Sequence, residues 1–162
     1  MGLQANLDRI DRQILTLLQK NARLPNNRLA AEVGIAPSTC LERVRRLHRD
    51  GVLTGFQAQV NKRAVGIRIQ ALIAVRLAHH VGPEIERFEE EILAIPEVLA
   101  LFHVTGDNDF LVHVGVRDSD HLRQLTMGAF TARADVDHIQ PSLIFEYRSK
   151  STVPVLLPSS PD

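Results

Sequence analysis

The chain has 162 residues, 44% hydrophobic and 23% charged, with 19 Lys+Arg balancing 19 Asp+Glu. That length fits one domain or two small ones, and that apolar content builds a core rather than a disordered chain. No apolar run nears the ~20 residues of a membrane span, the start lacks a basic-then-apolar signal pattern, and the single Cys40 excludes an internal disulfide and a multi-cysteine zinc site, so a cytoplasmic protein is expected.

Leu7, Ile10, Ile14, Leu17 and Leu18 recur at helical spacing, with Asn6 placed to cap the helix and Asp8 and Asp11 suited to its positive end. Leu24-Pro25-Asn26-Asn27 breaks that helix. A short second helix carries Leu29, Ala30 and Val33 on one side and ends at Gly34, which is free to take positive φ. Pro37 opens a third helix that runs to about Asp50 and stops at Gly51. On it Leu41, Val44, Leu47 and roughly His48 share one face. Thr39, Glu42, Arg43, Arg46 and Arg49 fill the opposite arc, with Ser38 at its edge and Arg45 on the flank. Three helices with a tight turn between the last two predict a helix-turn-helix. Val52–Val60 partly alternates and reads as a short β-wing or a strand leading away.

From about Gln70 the period changes. Ala71–Leu77 is a buried strand, Pro83–Ala94 a helix, Val98–Thr105 and Phe110–Val116 two strands joined by Gly106-Asp107-Asn108-Asp109. Ser119 caps a helix through about Ala134, and Ile139–Tyr147 is a last strand. The order βαββαβ is ferredoxin-like, with helices on one sheet face. A second copy of the sheet is the simplest cover for the other face, which predicts a homodimer. The fold class is therefore α+β, a winged helix-turn-helix followed by a ferredoxin-like domain. The expected boundaries are 1–52, a hinge strand and linker at 53–69, the sheet domain at 70–150, and a tail at 151–162 whose segment Val153–Asp162 looks like an extended arm.

The neutral total hides an asymmetry: residues 1–63 carry +6 and residues 64–162 carry −6. A basic front binds phosphates by releasing counterions, and its plain alternative is a solvated basic surface. Placed in a major groove, the third helix brings Ser38, Thr39, Glu42, Arg43 and Arg46 to base edges or adjacent phosphates, while Arg45, Arg49 and Arg28 touch phosphate. Glu42 either accepts from a cytosine amino group or pairs with Arg46 at i,i+4. Cys40 is read as a packing residue rather than a redox sensor. The Gly106–Asp109 turn has the composition of any hairpin turn, but its carboxylates and backbone N–H groups also suit the two charges of a free amino acid. Two carboxylates are too few for a calcium cage. The adjacent His79-His80 lacks ligand spacing, so no metal site is expected. No Gly-rich phosphate loop, nucleophile elbow or zinc-protease motif occurs, so no enzyme is expected.

With these residues laid out, the chain resembles the Lrp/AsnC (feast/famine) family of transcription regulators over roughly residues 7–150. The resemblance rests on Leu7-Asp8-Arg9-Ile10-Asp11 with Ile14-Leu15, on Ile35–Leu47, on Gly51–Phe56 and on Thr105–Phe110. It implies dimers paired through sheets and linking strands, octamers of four dimers, and an amino-acid effector bound between dimers with no other cofactor. By the same resemblance the effector cleft takes His103, Thr105, Gly106, Asp107 and Asp109, together with Ser119, Leu143 and Ile144. The chain departs from the family pattern at Asn108, at Phe110 and at Ala132–Val136. The expected function is sequence-specific regulation of transcription on double-stranded DNA in the cytoplasm, associated with the nucleoid. The alternatives are an architectural DNA-bending protein without an effector and, more distantly, a small-molecule enzyme.

Overall fold

The computed structural model describes residues 6–79, 82–150 and 152–156. His80 and residues 157–162 of the expected arm lie outside the described residues. The chain forms two compact units. One comprises the described residues through Gln59 with those from Arg148 onward, and the other Val60–Tyr147. The tail therefore groups with the front of the chain.

The first unit has helices α1 (Arg9–Lys20), α2 (Asn26–Val33) and α3 (Pro37–Arg49). Asp8, not Asn6, is the N-cap of α1. Its carboxylate accepts from the Asp11 amide at 2.8 Å, and Asp11 reaches back to the Asp8 amide at 3.3 Å. This reciprocal box satisfies two orphan donors, which a cap at Asn6 would leave open. Gly34 ends α2 with φ of 72°, a left-handed conformation that costs glycine nothing. The Asn26 side chain donates to the Pro37 carbonyl at 2.8 Å, tying the start of α2 to the start of α3. Ile14, Leu18, Leu29, Val33, Cys40 and Leu47 form the core. Cys40 is fully buried, as its reading as a packing residue predicts, and burial pushes its thiol above the ordinary range. The expected wing is absent: residues 52–60 form no strand, and the Val52 and Leu53 amides fold back onto the Leu47 carbonyl. Among the described residues of this unit no strand offers them a ladder.

The second unit carries β1 (Ile69–Leu77), α4 (Gly82–Leu93), β2 (Val98–His103), β3 (Phe110–Val116), α5 (Ser119–Leu125), a π-helical turn (Thr126–Thr131) and β4 (Val136–Leu143). The antiparallel sheet runs β2-β3-β1-β4. Ala71, Ile73, Val75 and Leu77 alternate onto one face with Phe110, Val112 and Val114, and Phe88, Ile92 and Phe130 cover them. Asp118 rather than Ser119 caps α5, accepting from the His121 amide at 2.8 Å. The expected single helix to Ala134 ends early. The Thr126 hydroxyl bonds back to the Leu122 carbonyl at 2.7 Å, and the wider turn that follows delivers Phe130 to the core. β4 begins three residues before its expected start, because pairing with β1 starts at Leu77–Val136 and ends at Ala71–Leu143.

On the other sheet face a polar cluster forms. Gln70 Oε1 lies 3.0 Å from His113 Nε2 and 2.9 Å from Lys62 Nζ. Lys62 sits 5.0 Å from the centre of the Tyr147 ring, itself 5.7 Å from the His113 ring. Burial pushes the His113 imidazole below its ordinary 6.5, and the Lys62 charge acts in the same direction. The folded chain thus resists a proton that the unfolded chain accepts. The stability tied to this group is complete above pH 6.5 and is lost as pH falls below it. Thermal melts from about pH 7 to about pH 5 are expected to show Tm falling more steeply for the wild-type than for His113→Gln. Equal slopes would assign the titration to another group.

Candidate functional site

α3 sorts its side chains more sharply than its sequence suggests. Cys40 and Leu47 are buried, whereas Leu41, expected inward, is 40% exposed. Ser38, Glu42, Arg45 and Arg49 recur at i, i+4, i+7 and i+11 and form one exposed stripe, with Thr39 beside it. Arg45, expected on the flank, stands in the middle of that stripe. Arg28 is exposed on α2.

Arg43 and Arg46, expected at base edges or adjacent phosphates, are instead engaged by carboxylates of α1 and its cap. Arg43 Nη1 lies 2.6 Å from Asp8 Oδ2 and 2.9 Å from Asp11 Oδ1, and Arg46 Nη2 bonds the other Asp11 oxygen. The Asp11 side chain is 1% exposed, so its charge requires these partners. Partial burial acts to raise the Asp8 carboxyl, but the Asp11 amide and the Arg43 guanidinium outweigh it and hold it below the usual range. The Asp8 hydrogen bond in turn raises Arg43 above its ordinary value, against the effect of burial. Both arginines therefore clasp α3 to the start of α1. The sequence signal for this was Asp11 itself, which falls on the same stripe of α1 as Leu7, Ile14 and Leu18. A carboxylate on an apolar stripe calls for a cation on the facing helix.

The eight expected effector residues fall into two groups. His103 ends β2, with its ring stacked 4.6 Å from Phe110 and its Nδ1 3.4 Å from Glu89. The turn beyond it is closed by the Val104 amide on the Asp109 carbonyl at 2.8 Å. Asp109 binds inward: its amide donates to Val75 and its carboxylate accepts from the Leu77 amide, at 2.9 and 2.8 Å. Thr105, Gly106 and Asp107 are exposed, and Gly106 has φ of 125°, which demands glycine. The turn thus holds one carboxylate as an anchor and presents the other.

Ser119, Leu143 and Ile144 lie at the other end of the sheet. Leu143 pairs with Ala71, the Ile144 amide donates to Gln70, and Ser119 lines a groove of about 260 Å³ with Leu122, Met127 and Pro141. The turn adjoins Val75, four residues from Ala71 along β1 or about 13 Å, so one chain alone does not unite the two groups. Near the turn, the divergent Ala132–Val136 segment is pinned by Arg133, whose Nη2 lies 2.7 Å from both Asp135 and Glu91 while the guanidinium covers the Phe88 ring.

Comparison with known proteins agrees with this architecture. Residues 7–48 match the AsnC-type helix-turn-helix domain and residues 70–154 the Lrp/AsnC ligand-binding domain. The chain is 45% identical over 143 residues to the HTH-type transcriptional regulator AldR of Mycobacterium tuberculosis, covering 88% of this chain and 80% of that one. It is 36% identical over 120 residues to the leucine-responsive regulatory protein of Escherichia coli K12, covering 74% and 73%. A crystal structure of a Neisseria meningitidis transcriptional regulator in complex with L-Met superposes with a TM-score of 0.84 at 28% identity, covering 91% and 96% of the two chains. The M. tuberculosis AldR structure superposes with a TM-score of 0.77 at 38% identity, covering 93% and 99%. With both domain profiles matched in order and these relatives shared along most of its length, the chain belongs to the Lrp/AsnC family of DNA-binding transcriptional regulators that respond to small molecules.

Proposed function

We propose that this protein reads DNA through the exposed stripe of α3 and that a free amino acid shifts its binding. The exposed stripe of Ser38, Glu42, Arg45 and Arg49, standing clear of the clasped Arg43 and Arg46, carries the reading. Arg45 and Arg49, with Thr39 beside them, meet bases or phosphates, and Arg28 meets phosphate. The protein acts as a homodimer that assembles into an octamer of four dimers. Leu72, Leu111 and the half-exposed Phe102 on the uncovered sheet face support the pairing. It works in the cytoplasm on the nucleoid, where its DNA partner is.

The effector is an amino acid held where dimers meet, with the exposed Asp107 carboxylate receiving its ammonium group. The meningococcal relative solved with L-Met supports this choice. Assembly of copies supplies the second group of residues that one chain keeps apart. Ligand then favours one assembly over another and changes how many α3 helices engage spaced half-sites. Titration calorimetry with each of the twenty common amino acids is expected to find at least one binder that also changes DNA affinity. Asp107→Asn is expected to weaken that binding about tenfold, the loss of one charge-assisted contact. A panel with no heat and no change in DNA affinity would sink the amino-acid reading and leave DNA binding standing.

A further inference from the structure

The clasped Arg43 and Arg46 leave Arg45, Arg49 and Arg28 for the DNA that α3 meets. The same unit carries further cations on a different helix. Arg9, Gln13, Thr16 and Lys20 recur on α1 at i, i+4, i+7 and i+11, and all are exposed. They stand opposite Ile14 and Leu18, which α1 buries in the core. Half-buried Arg12 borders this arc. Arg12 and Thr16 line two grooves, one of about 360 Å³ with Arg9 and Gln13 and one of about 380 Å³ with Lys20 and Lys150. In the second groove the Val153 amide donates to Gln19 Oε1 at 2.6 Å. Glu32 of α2 is the acid that faces the first groove. Among the described residues neither Arg9 nor Lys20 is held in an ion pair. Arg9 also lies in the first turn of α1, where the helix dipole is positive and disfavours a cation. Its charge does not serve the helix that carries it.

Cations interleaved with Gln and Thr are the side chains that contact phosphate, and the arc offers no exposed aromatic or aliphatic anchor for a protein partner. From Arg9 to Lys20 the row covers about 16 Å, the axial length of about five base pairs. α1 and α3 bury their inner faces in one core, so their outer arcs look to different sides of the unit, about 20 Å apart. A major groove is about 8.5 Å deep, so a straight duplex seated on α3 ends short of the α1 arc. We propose that this arc is a second DNA surface, on which Arg9, Gln13, Thr16 and Lys20 hold the phosphate backbone of a duplex segment other than the one under α3. Each helix-turn-helix then reads one segment and grips another without regard to sequence, which draws separate stretches of DNA together. That there are two segments rests on the α3 reading; the α1 contact does not.

The test titrates the full chain with a random-sequence duplex of about 12 base pairs, just over one helical turn, at low salt where sequence-independent binding is tight. Four proteins are compared: wild-type, Arg9→Gln/Lys20→Gln, Arg45→Ala/Arg49→Ala, and the chain with all four changes. Sedimentation gives the duplex bound per protomer at saturation, and anisotropy gives the affinity. The wild-type is expected to take up about twice the duplex of either double variant, and the fourfold variant to bind at least about tenfold more weakly than either. Adding Arg9→Gln/Lys20→Gln to Arg45→Ala/Arg49→Ala should cut the slope of log affinity against log salt by about 2. Arg9→Gln/Lys20→Gln should melt like the wild-type, since both side chains are exposed. Equal uptake by the wild-type and Arg9→Gln/Lys20→Gln would overturn the proposal. With affinity unchanged, α1 would be a solvated face; with affinity weakened, α1 would touch the same duplex as α3. Binding lost in Arg9→Gln/Lys20→Gln but intact in Arg45→Ala/Arg49→Ala would overturn the α3 reading instead and leave α1 as the surface that holds DNA.

Discussion

Replacing Arg43 and Arg46 together by alanine is expected to unfold the helix-turn-helix rather than merely to silence it. The double substitution leaves the Asp11 carboxylate, 1% exposed, without a cation, and stranding a buried charge costs about 3–5 kcal/mol. Arg43→Ala alone should cost less, because Arg46 still reaches Asp11. The two residues are coupled through one carboxylate, so the double loss should exceed the sum of the single ones. Asp11→Leu combined with Arg43→Leu and Arg46→Leu should recover much of the loss, since no charge is then left buried. Urea denaturation of the full chain, followed by far-UV dichroism, checks all four. A double variant as stable as the wild-type would show that the clasp is not what holds α3. Loss of DNA binding in that double variant therefore reports unfolding, not a lost contact.

The second large effect is the converse. Arg45→Ala with Arg49→Ala should leave thermal stability unchanged and lower DNA affinity about 10- to 100-fold at fixed salt. Arg45 is exposed, and Arg49 is 67% exposed and lies 3.8 Å from Asp50, a weak surface pair. If both contact phosphate, the slope of log affinity against log salt should shrink by about 2. If either reads guanine, the loss should be larger on the specific site than on random DNA. An affinity change below about twofold would move the reading surface off this stripe.

The parts of the fold legible in the sequence were those set by local rules. Gly34, Pro37 and Gly51 punctuate the helix-turn-helix where their backbone preferences require. The apolar run of Ala71–Leu77 and the β-branched, apolar segment Phe110–Val116 mark the two central strands and, with the helices between, the ferredoxin-like order. What was illegible depended on long-range partners. Arg43 and Arg46 read as outward cations until α1 supplies Asp8 and Asp11. That pull turns Arg45 into the centre of the exposed face. Asp109 reads as a ligand carboxylate until the Leu77 amide claims it. The tail reads as a loose arm until Gln19 and the core beside Val155 are brought to it. Residues 52–60 alternate like a strand, but a strand needs a ladder, and the described residues of that unit provide none.

The central claim is that the exposed face of α3 reads specific DNA. It is tested most directly by fluorescence anisotropy of the full chain on DNA from upstream of its own gene, against random DNA of equal length at one salt concentration, with Arg45→Ala/Arg49→Ala protein alongside. The account predicts tight binding to the upstream DNA, weaker binding to random DNA, and loss of that difference in a variant that melts like the wild-type. Equal binding of both DNAs by wild-type and variant would contradict it and favour a protein that holds or bends DNA without reading it.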